Sequence, residues 1–145
     1  MFAGRGIAAD HSAPDNATGI DTTERLLAEL DQGLVFTNLV DTDQVFGHRK
    51  DTAGFHAALR EIDAAVTRWL KAMRPDDLLV LSADHGCDPA HPGTDHTREF
   101  APLLAVFEGH DGRRADGLLA DVGASVHLWL TGERAELPGT PFVAL

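Results

Sequence analysis

Apolar and polar residues follow two kinds of pattern along the chain, and together these patterns predict strands alternating with helices. Short apolar runs occupy residues 34–40, 78–84 and 102–107, and their branched and aromatic side chains are typical of strands covered on both faces. Residues 52–73 and 121–130 instead repeat apolar positions every three or four residues. That spacing predicts two amphipathic helices.

The remaining segments are a glycine-rich start, a third helix and a long loop. Residues 2–21 have the composition of a loop. Asp21 and Glu24 are spaced like a capping box, and the leucines that follow predict a short helix ending at Gly33. A long loop with three histidines is expected over residues 85–101, and loops of this length usually carry function. The alternation of elements predicts an α/β fold, with a partial, mainly parallel sheet and flanking helices.

Size and charge narrow the classes of protein that this chain fits. A length of 145 residues with 43% hydrophobic content predicts one soluble domain. The formal net charge of -11 argues against nucleic acid or an anionic membrane as a partner, because both attract basic surfaces.

Cysteine content and hydropathy predict a cytoplasmic location. Cys87 is the single cysteine, so the chain has no disulfide framework, and a reducing compartment is expected. A small side chain packed beneath a loop is the better interpretation of Cys87 than a nucleophile. No run approaches the roughly 18 apolar residues of a membrane span, and the first ten residues lack the apolar core of a signal peptide.

Five potential metal ligands follow the predicted strands. Asp43 and His48 come after the first strand, Asp84 and His85 after the second, and His96 lies in the long loop. Carboxyl ends of parallel strands lie at one edge of a sheet, where α/β proteins bind ligands. Each residue alone is more simply a turn or packing residue, but five nitrogen and oxygen ligands without a cysteine set indicate a catalytic site with two metal ions.

The same stretches resemble a known family. FTNLVDTDQVFGHR and SADHGCDPAHPGTDHTRE are similar to phosphopentomutases, in the alkaline phosphatase superfamily, and FAGRG and LLADVGASVHLWL extend the resemblance over nearly the whole chain. The resemblance implies a two-metal enzyme, usually with manganese, that interconverts ribose 1-phosphate and ribose 5-phosphate and their deoxy equivalents. It implies that Asp43, His48 and His96 bind one metal, and that Asp84 and His85 bind the other.

The chain also departs from the family pattern. The family transfers phosphate through a threonine, and neither Thr94 nor Thr97 matches that position. We therefore expect the chain to be the C-terminal, metal-binding half of the core, without the nucleophile, a further metal-binding aspartate and the cap domain. Asp41 and Asp95 match no ligand position, and turn or supporting roles suit them better.

Two other functions fit the same residues. One is a different alkaline-phosphatase-like enzyme that transfers phosphoryl groups from phosphate esters with the help of metals. The other is a noncatalytic fragment that binds metal, or that pairs with itself or another chain through an open sheet edge.

Overall fold

The fold consists of helices and a small sheet in two compact units. The computed structural model describes residues 4–109, 112, 116–136 and 138–143. The elements in chain order are helix α1 (Asn16–Glu29), a π-helical segment that we call the π turn (Thr42–Gly47), helix α2 (Thr52–Ala72), strand β1 (Leu79–Ser82), strand β2 (Leu103–Val106) and helix α3 (Ala120–Thr131). The first unit comprises Met1–Ala72 and Cys87–Thr97, and the second comprises Met73–Gly86 and Arg98–Leu145. A single domain stays a prediction.

Helix α1 begins earlier than the sequence pattern predicted. Its N-cap is Asp15 rather than Asp21, and the Asp15 carboxylate accepts a hydrogen bond from the Thr18 N–H at 2.8 Å. Hydrogen bonds from the side chain and the backbone of Thr18 lower the pKa of Asp15 below its ordinary value. The prediction missed this start because Gly19 reads as a loop residue.

The segment at residues 34–40 packs along helix α1 and is not a strand. The Thr23 and Thr37 hydroxyls are 2.6 Å apart, and a Cβ on Gly19 would lie 3.1 Å from a methyl carbon of Leu39. Among the residues that the structure describes, this segment pairs with no strand. The predicted strand was wrong because an apolar run indicates that a segment is buried, but not which element it packs against. Here Gly19 in helix α1 permits the segment to pack closely on the helix.

Helix α2 confirms the prediction for residues 52–73, ending one residue sooner. At its start the Asp51 carboxylate accepts a hydrogen bond from the Gly54 N–H at 2.9 Å. Helix α2 packs against helix α1 and the π turn. Its buried residues recur at helical spacing, and they are Ala58, Ala65 and Trp69.

The sheet in the second unit has two antiparallel strands. Leu79 pairs with Val106, and Ser82 pairs with Leu103. The α/β class is confirmed, but the parallel arrangement predicted for these strands was wrong. A parallel pair needs a crossover connection, usually a helix, and the residues between β1 and β2 form only a loop. Leu104 is 60% exposed on β2, and pairing of the open edge with another chain stays a prediction.

Helix α3 matches the helix predicted over residues 121–130. It ends at Gly132, whose φ of 74° is the left-handed conformation that glycine adopts readily, and the Gly132 N–H donates to the Leu128 carbonyl at 2.9 Å. The buried apolar residues of this unit include Ala124, Leu128 and Val143. In the part of the chain that the structure describes, no helix combines the length and apolar character needed to cross a bilayer.

Candidate metal centre

The π turn and its C-terminal flanking residue bring two of the predicted ligands, Asp43 and His48, close together. The His48 N–H donates to the Asp43 carbonyl, five residues earlier, at 3.1 Å, and the Gln44 N–H donates to the Val40 carbonyl at 2.9 Å. Short π-helical segments occur frequently at functional sites. The sequence pattern did not predict this segment, because a single π turn leaves no periodic signal.

Gly47 lets the π turn pack closely in the first unit. A Cβ at this position would lie 2.4 Å from the Cys87 sulfur and 2.8 Å from the Thr42 carbonyl oxygen. Real Cβ atoms do not approach backbone oxygen so closely, so any side chain forces the backbone or Cys87 to move. Cys87 therefore occupies a packed position against the turn that presents His48.

We expect Gly47→Ala to destabilise the protein by about 1–3 kcal/mol, the usual cost of overpacking. Gly93→Ala is the matched control, since its Cβ would meet its nearest neighbour, a His91 ring carbon, at an ordinary 3.6 Å. Urea denaturation of both variants measures the difference. Equal stability of the two variants would contradict the close packing around Gly47.

The loop that carries His96 is held by its own polar groups. The Asp88 N–H donates to the Thr97 hydroxyl at 2.8 Å, and the Asp88 carboxylate accepts from the Ala90 N–H at 2.8 Å. The His91 N–H donates to the Asp88 carbonyl at 3.0 Å. Because Thr97 directly follows His96, these bonds fix the backbone beside that histidine.

Asp43, His48 and His96 come together in the first unit. The Asp43 Oδ1 atom lies 3.5 Å from His48 Nε2 and 3.4 Å from His96 Nε2, and the two rings have centroids 5.0 Å apart. Asp43 Oδ1 is buried and has no hydrogen-bond partner among the described residues. A buried carboxylate oxygen without a partner is costly, so this arrangement favours a cation beside it.

The contact of His48 with the backbone defines its tautomer. His48 Nδ1 is 2.6 Å from the Thr94 carbonyl oxygen, which can only accept, so Nδ1 carries the proton. In the neutral ring the lone pair then belongs to Nε2, the atom that faces Asp43. Metal-binding histidines are commonly oriented in this way by a second hydrogen bond.

The distance of Asp43 from each histidine is close to the distance between two ligands of one metal ion. Two ligand atoms that are each about 2.1 Å from one ion lie roughly 3.0–3.4 Å apart, depending on the coordination angle. The separations of Asp43 Oδ1 from the two imidazole nitrogens, 3.4 and 3.5 Å, are close to that range. The distance from the Asp43 carboxylate to each imidazole nitrogen is therefore compatible with a divalent transition metal ion beside this carboxylate.

Asp84 and His85 form a pair in the second unit, shortly after strand β1. Asp84 Oδ1 lies 3.5 Å from His85 Nε2, and the His85 Nδ1 atom is 3.1 Å from the Gly86 carbonyl oxygen. The carbonyl again accepts from Nδ1 and leaves Nε2 as the ring acceptor. The Asp84 side chain is 82% exposed, so its carboxylate is open to an incoming ion.

Sequence patterns gave Asp41 a turn or supporting role but not its partner Asn16, and they did not identify Asp88 as a supporting residue. The Asp41 carboxylate accepts a hydrogen bond from the Asn16 N–H, a pairing across 25 residues that no local pattern signals. Asp88 could have been noticed as an aspartate before a proline. Asp95 is exposed.

Comparison with known proteins defines the class of this chain. It belongs to the metalloenzyme superfamily, whose family model matches residues 5–131. Membership of this superfamily indicates dependence on a divalent metal, in agreement with the ligand types at the site.

Within that class, the chain is similar to phosphopentomutases. It is 54% identical to the phosphopentomutase of Syntrophotalea carbinolica, over 72% of this chain and 26% of the relative. Identity is 45% with the Anaeromyxobacter sp. strain K enzyme and 47% with that of Deinococcus radiodurans, over 99% and 98% of this chain, each covering 37% of the relative. The chain thus spans only 26% to 37% of the length of these relatives. The predicted resemblance is confirmed.

Proposed function

We propose that this chain provides metal ligands for a phosphopentomutase, an isomerase that interconverts the 1-phosphate and 5-phosphate of ribose or deoxyribose. The observation that carries the proposal is the buried Asp43 Oδ1, which faces two imidazole nitrogens and has no hydrogen-bond partner among the described residues. The similarity to phosphopentomutases over nearly the whole chain supports the same function.

The proposed function uses two divalent ions, with manganese as the favoured metal. Asp43, His48 and His96 would hold one ion, and Asp84 and His85 would contribute to the second. Two bound ions would stabilise negative charge on a phosphoryl group during its transfer. The chain's own part is to present these ligands, with the Thr94 carbonyl keeping the His48 lone pair on Nε2.

The phosphate-accepting threonine is proposed to lie in a part of the relatives outside the matched region. Thr94 uses its carbonyl to orient His48, and the Thr97 hydroxyl accepts a hydrogen bond from the Asp88 N–H. Both threonines therefore help to hold the loop over residues 85–101. The pentose phosphate substrate remains part of the proposal, and a cytoplasmic location stays a prediction that rests on the single cysteine.

A chimeric enzyme tests the proposal directly. The matched 37% of the Anaeromyxobacter phosphopentomutase is replaced by this chain, which aligns over 99% of its length. We expect the chimera to convert ribose 1-phosphate to ribose 5-phosphate with Mn²⁺, because the two sequences are 45% identical over this region. Conversion is measured by following the acid-labile 1-phosphate.

The same chimera also tests the alternative that the chain is part of a different alkaline-phosphatase-like enzyme. A second chimera carrying His56→Ala, an exposed residue on helix α2, is the control for changes in folding. Hydrolysis of a generic phosphate ester without pentose phosphate conversion would favour another alkaline-phosphatase-like enzyme. A folded chimera with neither activity would contradict the proposal.

A further inference from the structure

Asn16 and Asp41 form a reciprocal pair that joins helix α1 to the start of the π turn. The Asn16 N–H donates to Asp41 Oδ2 at 3.0 Å, and the Asp41 N–H donates to Asn16 Oδ1 at 3.0 Å. The two residues are 25 positions apart, and Asn16 has no exposed surface. Each residue thus uses its side chain to bind the backbone of the other.

The pair acts on backbone that leads directly to a proposed ligand. Asp41 immediately precedes the π turn, and Asp43 is the second residue of that turn. Asn16 is the first residue of α1, so its N–H is one of the groups that a helix leaves without an internal partner. The negative carboxylate of Asp41 at this position is also favoured by the helix dipole.

The buried amide of Asn16 indicates a role beyond stability. Its Nδ2 atom is buried and has no hydrogen-bond partner among the residues that the structure describes. Burying a donor without a partner is unfavourable, and a smaller residue would avoid it. Aspartate would supply the same acceptor, but it would set a second carboxylate beside Asp41. Asparagine therefore provides the acceptor without that repulsion.

We propose that Asn16 is a positioning residue for the π turn, and that through Asp41 it sets the backbone from which Asp43 faces the metal. The link to the metal rests on the proposed function. The ordering of the turn does not, because both hydrogen bonds are formed by this chain alone.

Amide hydrogen exchange on the metal-free chain tests the ordering. Asn16→Ala should accelerate exchange of the Gln44 and His48 N–H groups, whose hydrogen bonds define the turn. The Phe55 N–H, which donates to the Asp51 carbonyl in the same unit, should not change. Unchanged rates at Gln44 and His48, or equal acceleration of all three amides, would overturn the proposal.

Metal titration and a swapped pair complete the test. We expect Asn16→Ala to weaken Mn²⁺ binding roughly 10-fold, as loss of a group that supports a ligand usually does. Asn38→Ala is the control, since Asn38 is exposed, and it should leave Mn²⁺ binding unchanged. The double variant N16D/D41N preserves both acceptors and should restore affinity. Failure of this rescue would overturn the pairing. If the unmodified chain binds no Mn²⁺, the proposed function fails, and the exchange rates still decide the role of Asn16.

Discussion

Asp43→Asn is expected to weaken Mn²⁺ binding to the isolated chain by roughly 100-fold or more, since groups that only support a ligand already contribute 10- to 100-fold. The substitution keeps the shape of the side chain and removes its charge. Asp43 is the residue that both His48 Nε2 and His96 Nε2 approach, so its loss removes the anionic member of the cluster. Isothermal titration calorimetry with MnCl₂ measures the change in affinity.

The same substitution has an opposite expected effect on the metal-free protein. Asp43 Oδ1 is buried without a hydrogen-bond partner among the described residues, so a neutral amide should relieve the cost of burying a charge. We expect the free energy of unfolding without metal to stay the same or to rise by up to about 1 kcal/mol. Weaker metal binding together with undiminished stability would distinguish a ligand from a structural carboxylate.

Asp95→Asn is the matched control for this prediction. Asp95 lies next to His96, is exposed and carries the same charge, so its substitution tests nonspecific attraction of cations. We expect this variant to bind Mn²⁺ like the unmodified chain. Equal weakening by both substitutions, or tight binding that survives Asp43→Asn, would contradict the ligand assignment.

Local patterns in the sequence were sufficient for the parts of the fold that depend on local forces. Helices α2 and α3 were predicted within one or two residues at each end, because their apolar spacing, Pro75 and Gly132 act over a few neighbouring positions. The apolar runs that became β1 and β2 were also found, but not their direction of pairing. Register and direction depend on the connecting segment, and apolar composition does not describe that segment.

Residue type alone identified the candidate ligands, but it did not reveal the contacts that hold them in place. Asp43 and His48 are recognisable as potential ligands in a short stretch. The Asn16–Asp41 pair joins positions 25 apart, and the His48–Thr94 contact joins positions 46 apart. Such contacts exist only once the chain is folded, so a single sequence carries no periodic signal for them.

Asp121→Ala is expected to cause the largest loss of stability in the second unit, about 2–4 kcal/mol, because it removes a buried carboxylate that accepts two hydrogen bonds. Asp121 is 3% exposed. Its carboxylate accepts hydrogen bonds from the Leu118 N–H at 3.0 Å and the Thr140 N–H at 2.7 Å. The first bond lies at the start of helix α3, and the second joins that start to the segment after the helix. Urea denaturation followed by circular dichroism measures the loss.

Two comparison variants make this expectation specific. Asp121→Asn keeps one acceptor oxygen but turns an amide group toward a second N–H donor. Its loss of stability should therefore be smaller than that of Asp121→Ala. Asp76→Ala is the control for charge removal, because Asp76 is exposed in the same unit. Its backbone carbonyl, which the substitution keeps, accepts a hydrogen bond from the Trp129 Nε1–H at 3.1 Å. A loss for Asp121→Ala no larger than for Asp76→Ala would mean that the carboxylate does not hold the segment at Thr140 to helix α3.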